Sequence, residues 1–240
     1  MGSSYFYLEF LIAWLSLLKA SGFRNPAIFT LEYTLVPDQA YPVQLQQALS
    51  AYKNICANHD PGRIVVSGDS AGATLILSML LHIANDNKEQ SSLERGVKVP
   101  AMAVLISPWV TLVSPRDKNT PSDYLDADNL HLYARQYAGS KVAVHDPLIS
   151  PGNCKDVEWW RRASPSKGFY FCYGSEEVFA PEIRDLVQLF NVAEVKVGSR
   201  EERGGIHAWP VAALFLSSTT AQRQKGLRVI VESIREGMGI

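Results

Sequence analysis

Cysteine is scarce in this chain of 240 residues: there are three, Cys56, Cys154 and Cys172. They are odd in number, widely spaced and free of any C-x-x-C pair, which argues against a disulfide framework or a zinc site and for a reducing, cytoplasmic setting. Excess charge is also lacking, with 23 Lys and Arg against 24 Asp and Glu for a net charge of -1. Without a basic stripe there is no footprint for nucleic acid, and short clusters such as Arg161-Arg162 read as solvated surface. No apolar run is long enough to span a bilayer. The nearest, Tyr5 to Leu18, contains Glu9 and has neither the basic leader nor the small-residue cleavage site of an export signal. It reads as a core-facing helix. Gly2 does not make a myristoylation signal, because Phe6 stands where that motif wants Ser or Thr. Repeats and low-complexity linkers are absent too. With 47% hydrophobic content, residues 1–240 read as a single domain with one sizeable core.

What is present is alternation. A helix over Tyr5 to Ala20 precedes a strand near Ala27 to Tyr33. A helix from Pro42 to Ala57 leads to a β-branched strand at Arg63 to Ser67, followed by a long helix without a breaker until Asn85. Further strands are expected at Ala101 to Ile106, at Phe169 to Tyr173 and over Ala193 to Val197. Strands separated by helix-sized segments imply an α/β fold with a mostly parallel sheet flanked by helices. The interval 113–167 is too long for a simple crossover and is rich in Asp, Asn, Ser and Pro near its start. It is expected to hold a helix around Ser122 to Tyr137 and loops that wall a pocket.

The densest signal is Gly68-Asp69-Ser70-Ala71-Gly72, set where Ile64-Val65-Val66 gives way to Ala73-Thr74-Leu75-Ile76-Leu77. G-x-S-x-G between a strand and a helix is a nucleophile elbow: small residues permit a strained turn that holds the serine hydroxyl clear of its surroundings. Ser70 is therefore a candidate nucleophile, and the Ala71 N–H a candidate oxyanion donor. A serine hydroxyl needs a histidine to take its proton and a carboxylate to orient that histidine. On this kind of elbow they follow in the order Ser, then Asp or Glu, then His. His207, in the glycine-rich stretch Gly204-Gly205-Ile206-His207, is the histidine late enough. The acid is Glu176 or Glu177, just beyond the strand that ends at Gly174, with Glu177 preferred.

These residues resemble the hormone-sensitive-lipase-like branch of the α/β-hydrolases. Gly68 to Gly72 is similar to that group's G-D-S-A-G elbow letter for letter, Tyr33 to Asp38 followed by Tyr41-Pro42 resembles its Y-R-L-A-P-E segment, and Asp146 to Pro151 resembles its D-P-x-x-S-P stretch. Ile106-Ser107-Pro108-Trp109 resembles the end of the next strand. In that group the acid lies three residues after a strand-ending glycine, which from Gly174 selects Glu177. The resemblance implies a carboxylic ester hydrolase with a Ser70, His207, Glu177 triad, a small-molecule ester substrate and no metal or organic cofactor. One departure stands out. The group's H-G-G-G oxyanion loop is absent, and Met1 to Tyr5 resembles the stretch shortly after it, so the chain is expected to begin inside the fold, without its first strands.

Other candidates have plainer readings. His59, His131 and His145 precede the acid, His82 sits within the helix after the elbow, and His145-Asp146 would point to opposite faces of an extended segment. Trp159-Trp160 reads as packing, and Asp69 as support for the elbow. Beside the esterase reading stand two others: a hydrolase-fold protein that binds ligands without turning them over, and a truncated, poorly folding product.

Overall fold

A computed structural model describes residues 5–89 and 96–240. Met1 to Ser4, and with them Gly2, lie outside the described residues. The element order is α1 (Leu8–Ala20), α2 (Val43–Cys56), β1 (Val65–Asp69), α3 (Ala71–Glu89), β2 (Met102–Ile106), α4 (Ala127–Ala138), α5 (Val157–Ala163), β3 (Phe169–Gly174), α6 (Ala180–Val192), β4 (Val197–Glu202), α7 (Trp209–Leu216), α8 (Thr220–Arg223) and α9 (Lys225–Met238). The four strands pair in parallel in the order β1-β2-β3-β4.

Side-chain alternation along β2 divides the core. Ala103 and Leu105 join a cluster with Leu77, Leu80, Phe169, Phe171, Trp160 and Phe190, while Met102, Val104 and Ile106 join one with Phe10, Trp14, Leu227 and Ile230. Helices α3, α5 and α6 therefore cover one face, and α1, α7 and α9 the other. All five β2 residues are buried, as a central parallel strand requires. In α9, Leu227, Ile230, Val231 and Ile234 are buried at the spacing of one helix face. The expected core-facing first helix is α1, which buries Phe10, Trp14, Leu17 and Leu18.

Three expectations are corrected. Ala27 to Tyr33 forms no strand. Leu31 and Tyr33 instead pack beside the cluster between α2 and α3, and among the described residues β1 pairs with β2 alone. A strand exists only by its ladder, and among the described residues no strand pairs with this segment. The strand expected over Ala193 to Val197 starts where that stretch ends, because Ala193 caps α6, Glu194 takes φ 56°, and Val197 is the first residue in register with Phe169. The helix expected from Ser122 begins at Ala127, where the Asp126 side chain accepts the Asn129 N–H as N-cap. Residues before it are engaged elsewhere.

Candidate active site

Every predicted site residue lies at or just beyond the carboxyl ends of the strands, where open parallel sheets place their ligand crevice. Asp69 ends β1, and Ser70 sits in the turn into α3 at φ 51°, in the left-handed region that a non-glycine residue rarely adopts. The turn is held from both sides. The Ser70 N–H donates to the Ile106 carbonyl at 2.9 Å, and the Ser70 carbonyl accepts the N–H groups of Ala73 and Thr74, each at 3.1 Å. Gly68 makes this possible, since a Cβ there would lie 2.5 Å from the Gly72 carbonyl carbon. Ala71 opens α3, so its N–H and that of Gly72 belong to the first helical turn, where an α-helix supplies no acceptor of its own. The Asp69 carboxylate accepts the Tyr7 hydroxyl at 2.6 Å, and burial raises its pKa.

Beyond β3, Glu177 is buried and Glu176 is exposed. Oε2 of Glu177 accepts the Ser107 hydroxyl at 2.6 Å and the Gly174 N–H at 3.0 Å. Burial nevertheless pushes this carboxyl up to about 8. Beyond β4, His207 is buried, its ring edge-on to Phe179 and Tyr124 at 5.2 and 5.9 Å between centroids. This desolvated setting drives the imidazole down to about 3. The two loops touch through glycines: a Cβ on Gly174 would lie 2.1 Å from the Gly205 carbonyl oxygen, and the Glu176 N–H donates to that oxygen at 3.0 Å.

Two contacts of a working triad are not made. Among the described residues no hydrogen bond joins Ser70 to His207 or His207 to Glu177, and Glu177 Oε1 and His207 Nδ1 are both buried without a partner. The acid and the histidine loop are held by other side chains. Ser107, itself buried at φ 44°, donates to Glu177 and accepts the Ala208 N–H at 2.9 Å. Asp123 accepts the N–H groups of His207 and Val178, both at 3.0 Å. Sequence reasoning missed both residues in these roles. For Ser107 a signal existed, its place directly after a buried strand; Asp123 had none, since its partners are 55 and 84 positions away. Among the described residues no cluster of His, Cys, Asp and Glu could hold a metal ion, and no helix is long and apolar enough to cross a membrane.

Comparison with known proteins agrees with this architecture. The α/β-hydrolase fold family matches residues 23–211. An acetyl-hydrolase of Streptomyces hygroscopicus is 29% identical over 188 residues, covering 76% of this chain and 57% of the relative. A putative steryl acetyl hydrolase of Schizosaccharomyces pombe is 29% identical over 169 residues, covering 67% of this chain and 43% of the relative. The chain thus spans about half the length of these curated relatives. Among solved structures, an esterase from the bacterial hormone-sensitive lipase family superposes with a TM-score of 0.79 at 22% identity, covering 100% of this chain and 73% of that one. The strand order and the extent of the family match place this chain in the α/β-hydrolase fold family.

Proposed function

We propose that this chain carries the active-site framework of a serine carboxylic ester hydrolase. Ser70 Oγ attacks the acyl carbonyl, His207 takes the hydroxyl proton and returns it to the leaving alcohol, and Glu177 holds the imidazole in the required tautomer. The Ala71 N–H donates to the developing oxyanion. The chemistry calls for no metal or organic cofactor. The substrate is a small-molecule ester, and the names of the relatives favour acetyl esters. Residues 113–167 contribute to the wall of the site, a reading supported by the contacts of Asp123 and Tyr124 with the His207 backbone.

The observation that carries this reading is the conformation of Ser70, a left-handed non-glycine residue at the strand-to-helix turn that opens α3. Strain of that kind costs of order 1–3 kcal/mol and persists where function repays it. The open Glu177 to His207 contact favours a second reading, a protein that binds esters without turning them over. A fluorophosphonate probe separates the two. Labelling at Ser70 that disappears in Ser70→Ala, together with hydrolysis of a nitrophenyl acetate, supports the hydrolase. An intact, folded chain that binds the ester but takes no label supports the other.

A further inference from the structure

Residues 120–124 fasten the acid loop to the histidine loop. The Thr120 hydroxyl donates to the Glu176 carbonyl at 2.8 Å and accepts the Asp123 N–H at 3.1 Å. Asp123 Oδ2 accepts the Val178 N–H, and Oδ1 accepts both the His207 N–H and the Tyr124 N–H, each at 3.0 Å. The Tyr124 hydroxyl then donates to the His207 carbonyl at 3.3 Å. Four main-chain groups flanking the acid and the base are therefore held by three side chains of one short segment. The two N–H groups that converge on Asp123 come from loops that follow different strands, β3 and β4.

We infer that Asp123 is a positioning residue that sets the approach of His207 to Glu177, an inference that rests on the hydrolase reading above. A carboxylate suits the task because both oxygens accept, and hydrogen bonds to an ionised acceptor are stronger than neutral ones. An asparagine has a single acceptor oxygen, so its amide NH2 would face one of the two cross-loop N–H groups. It would hold one loop and repel the other. Displacement of a catalytic group by about 1 Å can cost on the order of 100-fold in rate.

The test compares the full chain with Asp123→Asn, Asp123→Ala and Thr120→Val by thermal melting, fluorophosphonate labelling rate, steady-state hydrolysis of nitrophenyl acetate and amide hydrogen exchange. Asp123→Asn should melt cooperatively, lose at least about tenfold in labelling rate and kcat, and keep KM within about twofold. Asp123→Ala should lose more, and exchange should quicken at Val178 and His207 while β2 stays protected. If Asp123→Asn labels and turns over at the wild-type rate, the positioning role is overturned. Should the Asp123 variants fail to melt cooperatively, Thr120→Val decides by the same readouts, and wild-type rates in it overturn the role equally. A wild-type chain that takes no label, yet whose Val178 and His207 amides depend on Asp123, overturns the hydrolase reading while leaving the fastening intact.

Discussion

Ser107 grips Glu177 from the end of β2, its hydroxyl donating to Oε2 at 2.6 Å while its oxygen accepts the Ala208 N–H at 2.9 Å. One oxygen of the acid is thereby committed, while Oε1 is buried without a partner. The same hydroxyl joins the acid to the residue after the histidine.

Ser107→Ala should therefore be costly for stability. It strips a donor from a buried carboxyl and an acceptor from a buried N–H, at about 1–3 kcal/mol for each group left unsatisfied. A loss of roughly 2–6 kcal/mol in urea unfolding is expected. A change under about 0.5 kcal/mol would show that the bridge carries no weight.

Glu177 and Glu176 should behave in opposite ways. Glu177→Gln keeps the shape but presents the wrong partner to the imidazole, and turnover should fall by about three to four powers of ten, as removal of a triad acid does elsewhere. Glu176 is exposed, so Glu176→Gln should stay within about twofold of wild type. Nitrophenyl acetate hydrolysis ranks the pair, and the reverse order would sink the assignment of the acid.

The buried acid and base also make stability depend on pH. Glu177 is raised from 4.5 to about 8, chiefly by burial, so between those values the folded chain keeps a proton that the unfolded chain has released. Stability therefore falls as pH rises through that window. His207 is lowered from 6.5 to about 3, so its contribution rises with pH up to 6.5 and is then complete. Above pH 6.5 the His207 contribution no longer changes, and Glu177 acts in the same direction as Asp69, whose pKa burial also raises. Unfolding free energy measured from pH 6.5 to 8.5 should decline in the wild type and decline less in Glu177→Gln. Equal slopes in the two proteins would refute the neutral buried acid.

The two glycines of the elbow should not be equivalent. A Cβ on Gly68 would meet backbone atoms of Gly72 and Ala73 at 2.5 to 2.7 Å, which cannot move without opening the turn. Gly68→Ala should lower the melting temperature sharply or prevent folding. At Gly72 the nearest atom is the Tyr33 hydroxyl at 3.9 Å, and the position lies in the first turn of α3. Gly72→Ala should be neutral or stabilising by up to about 1 kcal/mol, since alanine is the better helix residue. Similar melting temperatures in the two variants would contradict the close strand-to-helix approach.

Where the sequence sufficed, the information was local. Small residues at 68–72 between a β-branched run and an unbroken apolar helix fix the backbone angles of the turn, and the structure has Ser70 at φ 51° between β1 and α3. Apolar spacing likewise located α1, α2 and β2. Tertiary structure decided what depends on partners far along the chain. Ala27 to Tyr33 has strand composition, but among the described residues no strand pairs with it. Polar Ser199, Arg200 and Glu201 are poor strand signals, yet their register with Phe171 to Tyr173 makes them β4. Glu176 and Glu177 are adjacent and chemically alike; only the packing of the chain buries one against Ser107, 70 positions away, and leaves the other in water. Asp123 reads as one more loop aspartate until two strands deliver the amides of Val178 and His207 to it. Side-chain pattern encodes torsion and burial over a few residues, whereas a hydrogen bond between loops exists only once the sheet has set their distance.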